Sequence, residues 1–167
     1  MKNIVLIGMP GCGKSTFGKR LAKKMGRSFY DADTVLEERE ARTIKDFFAE
    51  SEDAFRAAET RTLAYLAELE GVVIATGGGA VKRAENMELM KRKGVVFFLD
   101  RKPEQILGNI EGDARPLLAA DKQRIFKLYE ERINLYRKYA DKIITNSGDF
   151  GRTLAVLEAY AKNSVEG

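Results

Sequence analysis

Residues Gly8-Met9-Pro10-Gly11-Cys12-Gly13-Lys14-Ser15 match the pattern G-x-x-x-x-G-K-[ST] at every fixed position. They follow a short apolar run, Ile4 to Ile7, and lead into a segment whose apolar residues Phe17, Leu21, Ala22 and Met25 recur at helical spacing. This order restricts the fold sharply, because such a loop works only where a buried strand hands the chain directly to a helix N-terminus. The glycines let the backbone curl with its N–H groups inward, and the helix end adds partial positive charge. A polyphosphate could there exchange its hydration shell for fixed donors. Lys14 would reach the β- and γ-phosphates, and the Ser15 hydroxyl would take a place on Mg²⁺.

Further apolar, β-rich runs lie at 28–30, 72–75, 95–99 and 143–145, separated by helical segments. Alternation of this kind predicts βαβ units, and the continuous apolar character of the runs predicts strands buried on both faces. The expected fold is therefore α/β: a five-stranded parallel sheet between two helical layers. Ligands of such sheets gather at the carboxyl ends of the strands. The polar motifs fall there. Asp31-Ala32-Asp33 follows the second run, Thr76-Gly77-Gly78-Gly79 the third and Asp100 the fourth.

The 167 residues suit one domain, 1–167, able to bury about 70% of its unfolded surface. The single cysteine, Cys12, cannot form an internal disulfide, and no secretory pattern opens the chain, so a cytoplasmic location is expected. No apolar run approaches the ~20 residues that a membrane span needs. Histidine is absent, so proton transfer must rest on carboxylates, lysine or tyrosine, and zinc chemistry is disfavoured. The net charge of +4 is small, and the basic run Lys91-Arg92-Lys93 suits a helix C-terminus. Nucleic acid and membrane are therefore not expected partners. Without an extended apolar helix or heptad run, a monomer is expected.

Ser51-Glu52-Asp53-Ala54 has the form of a helix start, and the following segment carries Arg56 and Glu59 on one face. Asp31 and Asp33 admit two readings. They could orient a metal and an attacking hydroxyl, or form an acidic turn capping a helix that begins near Thr34. The segment 108–121, with Gly108, Gly112, Arg115 and Pro116, interrupts the helical pattern and reads as a mobile loop. The base-recognition motif N-K-x-D of GTPases is absent. An acceptor site opposite a γ-phosphate, as in a small-molecule kinase, fits the remaining motifs better.

Taken together, residues 8–16, Asp31-Ala32-Asp33, Phe55-Arg56 with Glu59, Thr76-Gly77-Gly78-Gly79, Arg115-Pro116-Leu117-Leu118 and Leu135-Tyr136-Arg137 resemble shikimate kinases in order and spacing. The resemblance spans nearly the whole chain. It implies a P-loop NTPase-type α/β/α fold with a lid at about 108–121 and a substrate-binding region at about 31–60. The implied reaction moves the γ-phosphoryl of ATP to the 3-hydroxyl of shikimate, with Mg²⁺, on the route to chorismate.

By matching motif, Asp33 would bind the acceptor hydroxyl and serve as base. Arg56 and Arg137 would hold the shikimate carboxylate, with Gly78 and Gly79 offering backbone contacts. The loop from Gly11 through Cys12, Gly13, Lys14, Ser15 and Thr16 would carry ATP. Arg115 would close on the phosphates, and Ser15, with Asp31 through water, would hold the metal. One departure stands out. Many shikimate kinases carry an arginine several residues before the lid arginine that packs on adenine, and Gly108-Asn109 occupy that neighbourhood here. Binding should then depend more on phosphates than on base, with some tolerance of GTP.

Overall fold

The computed structural model describes residues 1–111 and 119–166. Five strands form one parallel sheet: β1 (Asn3–Ile7), β2 (Phe29–Asp31), β3 (Val73–Ala75), β4 (Gly94–Asp100) and β5 (Lys142–Thr145), in the order β2-β3-β1-β4-β5. The strands lie within about a residue or two of their expected places. β1 is central and wholly buried, as its unbroken Asn3-Ile4-Val5-Leu6-Ile7 run requires.

The connections explain the layering. From β1 the chain moves outward to β2 through α1 (Lys14–Met25), then returns to β3 through α2 (Ala32–Glu40), α3 (Ile44–Glu50) and α4 (Glu52–Ala67). It continues in that direction through α5 (Ala84–Lys93) to β4, and through α6 (Pro103–Glu111) and α7 (Ala119–Tyr139) to β5. Right-handed crossovers put helices on opposite faces when the direction of travel reverses. Accordingly α1 packs with the last helix, α8 (Phe150–Glu166), while α4 packs with α5. The core fills both interfaces, with Leu21 and Leu157 among the buried residues on one side and Leu63, Met87 and Tyr136 on the other.

Local signals set the helix ends. Ser51 caps α4 by accepting from the Ala54 N–H at 3.0 Å, and Thr43 caps α3 in the same way from Asp46 at 3.1 Å. Lys91, Arg92 and Lys93 fill the last turn of α5, favourable to its dipole. The segment expected to be a loop from 108 instead begins as helix, since α6 runs through Gly108 to Glu111. A Cβ at Gly108 would meet nothing, so this glycine is neither crowded nor turned. The rest of the expected lid up to residue 118, Arg115 included, lies outside the described residues. Among those described, no helix is long and apolar enough to cross a membrane.

Candidate active site

Among the described residues, the carboxyl end of the sheet gathers the 8–15 loop, the Asp31–Asp33 turn, Arg56 with Glu59 and the Gly77–Gly79 turn. Between β1 and α1 the loop turns through Gly8, Gly11 and Gly13 at φ of 153°, 81° and 97°, conformations that side chains rarely adopt. A Cβ on Gly8 would press on the Leu99 carbonyl at 2.8 Å, and one on Gly13 on the Phe17 ring at 3.0 Å. Lys14 folds back over this loop, nearly buried, its Nζ donating to the Gly8 carbonyl at 2.6 Å and the Met9 carbonyl at 2.9 Å. The loop is steadied from outside as well. Asn146, just past β5, donates to the Cys12 carbonyl at 3.2 Å, and Arg101, just past β4, donates to the Gly11 carbonyl at 3.1 Å.

In front of the loop lies a cavity of about 400 Å³ lined by Gly11, Gly13, Lys14, Ser15 and Thr16, with Asp31 and Asp33 opposite. Cys12 is set apart from it. Its thiol is fully buried and its N–H donates to the Met9 carbonyl at 3.1 Å, so in this conformation Cys12 shapes the loop rather than facing the cavity.

Asp31 and Asp33 differ in role despite their spacing. Asp31 caps α2, accepting from the Asp33 N–H at 3.0 Å and the Thr34 N–H at 3.3 Å, while its other oxygen accepts from the Ser15 hydroxyl. The capping reading thus holds for Asp31, and the same residue still faces the phosphate loop. Asp33, in the first turn of α2, is free of such duties. Burial lifts its carboxyl above the ordinary range, the Asp31 charge adds to this, and Lys14 and Arg56 pull the other way.

A second cavity, about 430 Å³, adjoins the first, and Pro10, Asp33, Gly77 and Gly78 line both. On its far side stands Arg56, 8% exposed, paired with Glu59 at 2.9 Å and with Glu52 at 3.5 Å. The three-residue spacing of Arg56 and Glu59 thus produces a real pair. Glu59 is 2% exposed, and burial raises its carboxyl above the ordinary value, against the pull of Arg56. The glycine turn after β3 exists because side chains surround it. A Cβ on Gly77 would meet Glu59 Oε2 at 2.9 Å and Asp33 Oδ1 at 3.1 Å, one on Gly78 would meet the Pro10 ring at 2.7 Å, and one on Gly79 would collide with the Arg56 guanidinium. Arg132 and Arg124 of α7, Lys82, and the apolar Ile44, Phe48 and Leu128 complete the wall.

The arrangement is a phosphate cradle and a cationic, partly apolar pocket that meet at one carboxylate. The comparisons with known proteins agree. A family model described as shikimate kinase matches residues 10–157. The shikimate kinase of Clostridium botulinum is 42% identical over 165 residues, covering 98% of this chain and 100% of the relative. That of Clostridium beijerinckii is 40% identical over 167 residues, with 99% of each chain covered. The chain belongs to the shikimate kinase family. Among solved structures, the shikimate kinase of Acinetobacter baumannii in complex with shikimate superposes with a TM-score of 0.85 at 36% identity, covering 98% of this chain and 94% of that one.

For this member of the shikimate kinase family, the structure brings Lys14, Ser15, Thr16, Asp31, Asp33, Arg56, Gly78 and Gly79 to the two cavities. It does not bring Arg137. That side chain is exposed, outside the residues that line either cavity, close enough to Lys102 for their charges to interact. The arginines of α7 that line the second cavity with Arg56 are Arg124 and Arg132. The reason is helical phase. Tyr136 is fully buried, and Arg132, four residues earlier, shares its face, whereas Arg137 is rotated by about 100°. The inward stripe Ile125, Leu128, Tyr129, Ile133 and Tyr136 carries this signal in the sequence itself.

Proposed function

We propose that the protein transfers the γ-phosphoryl group of ATP to the 3-hydroxyl of shikimate, with ATP seated on the 8–16 loop and shikimate in the adjoining pocket. The observation that carries this reading is the junction at Asp33, which lines both cavities while Arg56 and Arg132 line the second. A carboxylate-bearing polyol fits such a pocket. Two guanidinium groups suit its carboxylate, and backbone groups at Gly78 and Gly79 suit its hydroxyls.

In this mechanism Lys14 leaves the Gly8 and Met9 carbonyls for the β- and γ-phosphates, a swing that exchanges two carbonyl acceptors for charged ones. Asp33 orients the attacking hydroxyl and takes its proton. A carboxyl lifted above its ordinary range is the stronger base once ionised, which suits that task. Ser15 and Asp31, oxygen donors already hydrogen-bonded to each other, suit a hard cation such as Mg²⁺, which Ser15 would hold and Asp31 would help to hold through its water. When bound, Mg²⁺ supplies neutralisation of the phosphate charge. Arg115 would add positive charge to the transferred group.

The test is ADP release measured with shikimate and with gluconate separately. Rapid release with shikimate and little with gluconate is the expected result. No turnover with shikimate would remove the reading.

A further inference from the structure

Tyr136 is the largest fully buried side chain of the described residues, and a tyrosine in such a place must satisfy its hydroxyl or lose stability. The ring stacks on Phe98 of β4 with centroids 5.0 Å apart and planes 22° from parallel, which fixes where the hydroxyl points. That hydroxyl donates to the Gly78 carbonyl at 2.6 Å, and the Arg132 guanidinium lies near enough for its charge to act on the phenol oxygen. Its proton is therefore spent on the wall of the second cavity, and its lone pairs lie beside Arg132, which lines the same cavity. Gly78 also lines the first, at the wall the two share.

We propose that Tyr136 is a positioning residue for the acceptor pocket, its hydroxyl keying Arg132 of α7 to the Gly78 carbonyl of the turn after β3. An arginine on an otherwise half-exposed helix has many rotamers, and binding must freeze one of them. Holding Arg132 against a buried hydroxyl meets that cost before the acceptor arrives. The same bond holds the Gly78 peptide, so that both the cation and the backbone groups of the pocket depend on one oxygen. Phenylalanine would preserve the stack on Phe98 but leave a carbonyl without its partner and an arginine without its brace. This rests on the second cavity being the acceptor site.

The experiment is the steady-state kinetics of Tyr136→Phe in the full chain, with thermal unfolding in parallel. The KM for shikimate should rise about tenfold, with kcat and the KM for ATP changed by less than about threefold, the pattern of lost acceptor binding. A double-mutant cycle with Arg132→Lys should be non-additive, because the two changes break one linkage. A lowered unfolding temperature with both KM values unchanged would mean a purely structural role and would overturn the proposal. If the wild-type protein phosphorylates gluconate but not shikimate, the proposed substrate fails while the KM ratio read with gluconate still decides the role of Tyr136. Should Tyr136→Phe not fold, 3-fluorotyrosine at this position keeps the hydroxyl and nearly the volume. Its ¹⁹F resonance should move when shikimate is added, and an unmoved resonance at saturation would overturn the proposal.

Discussion

At the scale of single residues, two arginines five positions apart on one helix separate the expectation from the outcome. Arg132 lines the second cavity and Arg137 is exposed outside it. Arg132→Gln should raise the KM for shikimate at least about tenfold, the cost of a charged hydrogen bond removed from a buried partner. Arg137→Gln should leave it within about twofold, as for a solvated charge. The reverse pattern in one kinetic comparison would restore Arg137. Asp33 gives a prediction of two parts. Asp33→Asn should lower kcat by at least ~10²-fold, since the amide cannot take the proton. The same change should stabilise the protein at neutral pH. Burial raises the Asp33 carboxyl above its ordinary 3.8, so the folded state binds this proton more tightly than the unfolded chain. The stability from that group is complete below the ordinary value and is lost as pH rises through the raised one. Asparagine carries no such loss. Unfolding temperatures of the pair should therefore differ at pH 7, with the variant higher, and converge as pH falls below the ordinary value. A variant less stable at pH 7 would contradict the burial argument.

At the scale of elements, the helix that presents Arg56 and Glu59 depends on its cap. Ser51 begins α4 by holding the Ala54 N–H, and Ser51→Ala should cost about 1 kcal/mol. Urea unfolding would register this as a lower midpoint at unchanged slope, and Ser51→Thr should recover most of it. This start could be read from Ser51-Glu52-Asp53 because capping is local chemistry. So could the places of the five strands and the turns at Gly11 and Gly77, but burial on both faces holds only for β1, β3 and most of β4, because β2 and β5 are sheet edges, the first half-buried and the second largely exposed. The orientation of α7 was harder to read. Leu135-Tyr136-Arg137 matches a motif by adjacency, but adjacency in a helix turns a side chain away, and only the stripe from Ile125 to Tyr136 fixes which arginine points in. The two aspartates were ambiguous for a related reason. A cap and a ligand need the same residue type, and Asp31 has both neighbours at once.

At the scale of the whole molecule, the fixed groups around the first cavity suit phosphate rather than a base. Lys14, the loop between β1 and α1, and the pair Ser15 and Asp31 all face the first cavity, and Asn146 and Arg101 hold the loop by its carbonyls. Base recognition is a separate matter. On α6, where the resemblance to shikimate kinases leads one to expect an arginine against adenine, Gly108 is exposed and offers no side chain. A planar guanidinium over a base contributes about 1–2 kcal/mol, so its absence should cost both affinity and selectivity. Side-by-side rates with ATP and GTP should differ by less than about tenfold, the factor that such an energy represents. Gly108→Arg should widen the gap in favour of ATP. It should also raise stability by up to about 1 kcal/mol, because glycine is a poor helix former and a Cβ there meets nothing. The two readouts separate the causes. A stabilised Gly108→Arg variant with unchanged nucleotide preference would mean that the base is held from elsewhere, and a strict preference for ATP in the wild-type protein would mean that it is held already.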